Sequence, residues 1–304
     1  MNLIHPKLLL KYTLEGINNI STWNVYLKNI VLQKADDSVR EYLLKRNTQT
    51  SVGLLGIIGK IFYDLNGGKN SVIRNQVGLK SSHILFGFRV VDDPIDNPNT
   101  SKADKLQILE GYRNIFDGKS SDYFSYDKEV SSAFFITETL RDNFKRDEYL
   151  SFIANRVVDL SIKKISYKNK DDLLENTKEL CGLTTLSLAQ SIALEGESLK
   201  DEVAYASYKF GCAGGCLDDM IDLAQNFKEK TNTYPLQRLR ELHSVSYGSI
   251  IKSGLGKEML GIIKDELDQG FRGLKNDAEL FETLTLMLYL TAAIDYTKQS
   301  LIHS

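Results

Sequence analysis

Two stretches of this chain concentrate carboxylates in otherwise apolar sequence: FRVVDDPID from Phe88 to Asp96, and GGCLDDMID from Gly214 to Asp222. They lie roughly 125 residues apart. On a helix, side chains three and four apart share a face, so Asp92 with Asp96, and Asp218 with Asp222, each form an acidic patch. Asp93 and Asp219 thicken the two clusters. Charges packed this densely must be solvated or neutralised. If both patches face one cavity, the neutralising agent that fits is magnesium, which prefers carboxylate oxygen, keeps some of its waters and completes its shell with substrate phosphates. The chemistry this suggests is metal-assisted departure of a diphosphate.

The elements that must position these groups differ. Asp222, Asp218, Gly215 and Gly211 recur at three and four, placing them on one stripe of a helix expected from roughly Asp201 to Phe227. Glycine inside a helix costs about 0.5–1 kcal/mol relative to alanine, and FGCAGGC accepts it repeatedly, so something gains from the missing side chains. Two readings stand: room for a hydrocarbon tail beneath the metals, or close approach of a second helix. Cys212 and Cys216 are also four apart, but with no further ligand in sight they read as small-residue packing. In the first cluster Pro94 removes a donor and disfavours α conformation at Asp93. A helix beginning near Ser81 is therefore expected to end or kink there, with Asp96 on a turn. One and two turns before the cluster lie Arg89, Phe88 and Leu85. That order, a cation near the carboxylates and apolar groups deeper, suits a diphosphate head with a hydrocarbon tail.

With 304 residues the chain sits near the upper edge for one hydrophobic core, so a single domain over 1–304 is expected. A net charge of −2 gives no footprint for nucleic acid. Three cysteines, Cys181, Cys212 and Cys216, argue against a disulfide framework and for a reducing, cytoplasmic setting. The opening MNLIHPKLLLKYTLEG has a lysine within its short apolar run and does not look like a secretory signal. No uncharged apolar run approaches the length of a membrane span. Peripheral contact with a membrane, to collect an apolar substrate, stays open. The four histidines are scattered without ligand spacing and receive no role.

Proline placement sets the fold class. Of the four prolines, three fall in or just after the aspartate clusters, and none occurs from Asn99 to Tyr234, as long helices require. Apolar residues there recur mostly at three and four, and strand-like alternation is scarce. An all-α bundle around a central cavity is expected. Its helices are separated by short breaks rich in Gly, Asn, Ser and Asp, among them LNGGKNS, DNPNTS and EGESLKDE.

On these residues the chain resembles the class I isoprenoid synthases. FRVVDDPID, followed by KADKLQILEGYRNIFDGK, looks like the first aspartate-rich region of the squalene and phytoene synthases, and Asp159 falls at that family's recurrent acidic position. FGCAGGCLDDMID followed by TYPL is closer to the second motif of the head-to-tail polyprenyl diphosphate synthases. Gly215 stands where those enzymes usually carry glutamine, and Pro94 is foreign to either motif. NGGKNSVIR, with Lys69 and Arg74, resembles their G-G-K-R-x-R diphosphate clamp, although it lies only 23 residues before Asp92. Asp218, Asp222 and Asn226, at every fourth residue, also resemble the metal triad of terpene cyclases.

The resemblance implies a magnesium-dependent prenyltransferase of the squalene and phytoene synthase type. Asp92, Asp96, Asp218 and Asp222 would be its catalytic residues, joined by Asp93, Asp219 and Asn226 as ligands of up to three magnesium ions. Arg89 and Lys228 would face the diphosphate of the allylic prenyl diphosphate substrate, and Lys69 that of the second substrate. Phe88, Leu85, Gly211 and Gly215 would face its tail. A homodimer is compatible with the family. A head-to-tail polyprenyl synthase and a terpene cyclase are the alternatives. Further off is a non-catalytic subunit that binds an isoprenoid or a partner synthase.

Overall fold

The computed structural model describes residues 6–49, 52–119, 127–143, 147–167, 169–223, 226–227, 231–241, 254–274 and 279–286. Among them there are helices and no strand, as the apolar spacing requires. The helices are α1 (Pro6–Tyr26), α2 (Asp37–Gln49), α3 (Val52–Leu55), α4 (Ile57–Leu65), α5 (Ser71–Asp96), α6 (Lys102–Phe116), α7 (Lys128–Asn143) and α8 (Glu148–Lys164). They continue as α9 (Lys170–Gln190), α10 (Asp201–Ile221), α11 (Tyr234–Glu241) and α12 (Leu255–Gly273). The fold is all-α. The chain forms two compact units: residues 6–162 with 187–200, and residues 163–186 with those from 201 on. The first aspartate cluster belongs to the former and the second cluster to the latter.

In the first unit α5 is the central element. Val77, Gly78, Ser81, Ser82, His83, Ile84, Phe86, Gly87 and Val90 are all buried, too many directions for a helix with only one covered face. It packs against α1, α3, α4, α6 and α7. Close approach is achieved with small residues: a Cβ on Gly87 would lie 2.2 Å from Leu140 Cδ1 of α7. The buried hydroxyls are satisfied, with Ser81 reaching the Leu188 carbonyl at 3.2 Å and Ser82 receiving a 3.1 Å bond from Asn19. His83 sits fully buried beside Trp23 and Tyr26, and burial pushes its pKa down to about 3, so it is a neutral core residue.

The ends of α5 are where the sequence reading needs correction. The helix starts at Ser71, ten positions before the expected Ser81, because the Asn70 side chain caps the amides of Val72 and Ile73. It also runs through Pro94 to Asp96, with Asn97 N–H bonding the Asp93 carbonyl at 3.1 Å. Pro94 is tolerated because it falls in the last turn, where only the Val90 carbonyl loses a helical donor. The buried Tyr112 hydroxyl donates to the Val91 carbonyl at 3.0 Å and braces that turn. The stop comes at Asn97, held extended ahead of Pro98.

In the second unit α10 packs on α12. Glu266 of α12 is 6% exposed and takes Lys178 at 3.0 Å and Lys209 at 2.8 Å. Burial alone would raise the Glu266 pKa, but the bonds from Lys209 and Lys178 outweigh it and hold it below the ordinary 4.5. Both lysines are correspondingly raised above 10.5, their bonds to Glu266 overcoming the effect of burial. The stabilisation from Glu266 is therefore present above pH 4.5 and lost as pH falls through its folded value, whereas that from the lysines is present below pH 10.5 and lost above it. Glu266→Gln is expected to cost about 3 kcal/mol at neutral pH, since it strands the shielded Lys209 ammonium and leaves Lys178 with Glu175 alone. Thermal melts at falling pH should show the gap from wild type closing in the acid range.

Candidate active site

Asp92 and Asp96 occupy the last turn of α5, four residues apart, and both are exposed. Asp93 is different. It is half-buried and takes Arg46 Nη2 at 2.6 Å and the Tyr42 hydroxyl at 2.8 Å, both from α2. Burial raises its pKa more than the Tyr42 and Arg46 bonds lower it, with Asp96 adding repulsion. Its two oxygens are thus engaged by α2, whereas Asp92 and Asp96 lie on the exposed side of the turn, where they could meet a metal. Arg46 and Tyr42 are 47 and 51 residues from Asp93, and no local spacing announces either.

Beneath Asp92 lies an apolar cavity of about 60 Å³, lined by Phe88, Val91, Ile95, Tyr112, Phe116 and Leu140 among others, with Asp92 at its edge. A second cavity of about 50 Å³ continues past Ile84, Leu150 and Ile153. Phe88, Phe116, Leu140 and Ala154 line both and so form the partition. Phe88 faces both cavities. Leu85 does not line either cavity, and Ile84 takes its place. Tyr112 and Phe116 of α6 escaped the sequence reading because their distance along the chain carries no signal. Arg89 is exposed one turn before the cluster. Asp159 pairs with Arg113 at 2.5 Å.

The clamp reading of NGGKNSVIR fails on geometry. Lys69 lies exposed in the turn ahead of α5, and α5 is continuous from Ser71 to Asp92. At 1.5 Å per residue that span is about 30 Å, too far for two substrates that must react with each other to be held at its two ends. Arg74 is occupied by Asp64 at 2.7 Å and Glu15 at 2.6 Å.

In the second unit Asp218 is exposed, with Asp219 and Asp222 partly so. Asp222 N–H bonds the Asp218 carbonyl at 2.9 Å and Asn226 N–H bonds the Asp222 carbonyl at 2.8 Å. Asp219 accepts from Thr177 at 3.2 Å. Its pKa is pushed up to about 6, mainly by burial, with Asp218 and Asp222 adding to the rise against the Lys164 charge. Lys228 lies outside the described residues. Gly211 and Gly215 serve packing: a Cβ on Gly211 would lie 2.3 Å from the Cys181 carbonyl oxygen, and one on Gly215 would lie 2.6 Å from Cys181 Sγ. The bare stripe is filled by α9, not left open for a tail. Burial also pushes the thiols of Cys212 and Cys216 up to about 12, as befits packing residues.

No group of three or more His, Cys, Asp or Glu close enough to hold a metal occurs among the described residues. Magnesium does not need one, because it is ordinarily held by one or two carboxylates with waters and substrate phosphates. Asp92 with Asp96, and Asp218 with Asp222, meet that requirement. The repulsion that Asp218 and Asp222 exert on Asp219 is the kind a bound cation relieves.

No protein-family model and no curated protein matches the chain. Solved structures do. A geranylgeranyl pyrophosphate synthase from Lactobacillus brevis is 14% identical, with 90% of this chain and 97% of that one covered at a TM-score of 0.61. A polyprenyl synthase from Caulobacter crescentus, complexed with calcium and isoprenyl diphosphate, is 14% identical, with 91% and 95% covered at 0.62. A geranylgeranyl pyrophosphate synthetase from the archaeon Geoglobus acetivorans is 10% identical, with 96% and 99% covered at 0.61. The chain thus has the isoprenoid synthase fold. These structures represent the polyprenyl branch that the second cluster resembles, not the squalene and phytoene branch expected from the first.

The packing role of the α10 glycines gives a prediction with a reversed sign. An exposed helical Gly→Ala change stabilises by about 1 kcal/mol. Gly211→Ala should instead destabilise by about 1–3 kcal/mol, because its Cβ meets backbone that cannot move aside. Denaturant unfolding of the variant checks this, and a stabilised variant would return the stripe to the role of substrate space.

Proposed function

We propose that this chain is a magnesium-dependent prenyltransferase of the polyprenyl diphosphate synthase type, acting on an allylic prenyl diphosphate and a second isoprenoid. The observation that carries the reading is the pairing of Asp92 and Asp96 with an apolar cavity that runs along the same helix. A charged head is recognised at the end of α5 and a hydrocarbon tail beside it. The polyprenyl synthase that holds calcium and isoprenyl diphosphate in the same fold supports this choice of ligand over the squalene and phytoene type.

In the proposed reaction the allylic carbon–oxygen bond breaks and its electron pair leaves with the diphosphate. The resulting cation is attacked by the double bond of the second isoprenoid, and loss of a proton restores neutrality. Magnesium, when bound, supplies the positive charge that makes diphosphate a good leaving group. Asp92 with Asp96 would hold it in the first unit, and Asp218 with Asp222, followed by Asn226, would do so in the second. Apolar walls keep water from the cation, and the faces of Phe88, Phe116 and Tyr112 stabilise it. No described helix is long and apolar enough to cross a membrane.

The test is incubation of the protein and magnesium with geranyl, farnesyl or geranylgeranyl diphosphate, each with and without isopentenyl diphosphate. Diphosphate release that requires isopentenyl diphosphate and yields a longer prenyl diphosphate is the expected result. Asp92→Asn and Asp218→Asn should each lower kcat by about a hundredfold or more, the scale seen when transition-state charge loses a stabiliser. Release without isopentenyl diphosphate would indicate a cyclase, and no release from any substrate would leave a binding subunit.

Phe88→Ala should join the two cavities and lengthen the product. An unchanged product spectrum would remove Phe88 from the tail site.

A further inference from the structure

At the opposite end of α5 the first unit holds another cavity, of about 370 Å³ and polar, lined by Asn18, Thr22, Lys60, Ser71, Arg74 and Asn75, with Glu15 and Asn19 completing the wall. Its volume is in the range of small-molecule sites. From Asn75 to Asp92 is 17 residues of continuous helix, about 26 Å. The cavity is therefore separate from the aspartate-lined site.

Lys60 is what sets it apart from an ordinary wet crevice. Only 6% of this residue is exposed. Its methylene stem lies across α5 at Gly78, where a Cβ would stand 2.4 Å from Lys60 Cε, so the glycine is what admits the lysine. Among the described residues no carboxylate lies within ion-pair distance of its ammonium, because both nearby acids are taken. Arg74 holds Glu15 at 2.6 Å and Asp64 at 2.7 Å, and Asp64 also receives the Tyr12 hydroxyl at 2.7 Å. Burial, and then the Arg74 charge, pull the Lys60 pKa below its ordinary value, with Glu15 and Asp64 compensating only in part. A shielded cation with no carboxylate at contact distance is costly, and apart from the mutually paired Arg74 and Glu15 the other lining side chains are amides and hydroxyls.

We propose that this cavity binds a small phosphate-bearing ligand, whose oxygens accept from the Lys60 ammonium and from Asn18, Ser71 and Asn75. A phosphate suits it better than a carboxylate because its oxygens point in three directions, matching donors spread around the wall. Inorganic phosphate and a small phosphate monoester present the same group, and 370 Å³ leaves room for either.

The experiment is titration of the full chain with inorganic phosphate and with glycerol 3-phosphate, in chelator to silence the aspartate clusters, followed by calorimetry and thermal melting. Wild type and Asp92→Asn should bind alike and melt at higher temperature with ligand. Lys60→Met keeps the stem and removes the charge. It should bind roughly tenfold or more weakly, the consequence of losing a hydrogen bond from a charged group. Asn75→Leu, at the exposed rim, repeats the comparison without disturbing the core and should also weaken binding. Tighter binding of the ester would assign an organic ligand and equal binding a free phosphate, and both support the site. Equal responses in wild type and Lys60→Met, or no response to either ligand, would overturn it and leave a water-filled cavity.

Discussion

A helix covered on almost every side must meet its neighbours through small residues, satisfy its own hydroxyls and emerge into solvent only at its ends, and α5 obeys all three demands. Gly87 brings Leu140 onto it, and Ser81 and Ser82 find partners. Its last turn alone carries exposed acids. This burial gives Asp92 and Asp96 a rigid base and leaves one side of the helix facing an apolar cavity. Voids in a core are destabilising in proportion to their volume. Two adjoining apolar voids beside one helix, ending at a carboxylate pair, are a loss of packing that a tail-binding site explains.

The two aspartate clusters share an internal division of labour. In each, the middle acid is secured by the protein: Asp93 by Arg46 and Tyr42, Asp219 by Thr177 and partial burial. The outer acids, four apart, stay toward solvent. A carboxylate already bonded to guanidinium cannot also give its best lone pairs to a metal. The inner acids anchor the helix ends, and on the proposed function the outer acids are the ones that would meet a metal.

What was legible in the sequence follows from the same physics. The all-α class was readable because apolar recurrence at three and four is a local property. The carboxylate pairs were readable because four residues is one turn. Pro94 misled because its effect depends on distance from the helix end, and Asn70, whose side chain starts the helix, gives a weaker signal than a proline. The glycine stripe on α10 left two readings open, since the residue that fills it, Cys181, comes from a different helix. Arg46, Tyr112 and Phe116 reach the site only through tertiary packing. NGGKNSVIR resembled a clamp in composition, but 23 residues of spacing became nearly a full helix of separation.

That last point bears on why the fold persists at 14% identity. What the architecture demands is helix length, small residues where helices cross and carboxylates one turn apart at a helix end, and many sequences supply these. The demands on individual positions are looser than a motif suggests. Proline fits the first cluster because the final turn has few donors to lose. Glycine fits at 215 because α9 approaches there closely enough to occupy the space that a side chain would take. Asp92, Phe88 and Tyr112 line the cavity beside α5, and Asp96 stands one turn beyond Asp92, an order that the proposed head and tail site would use.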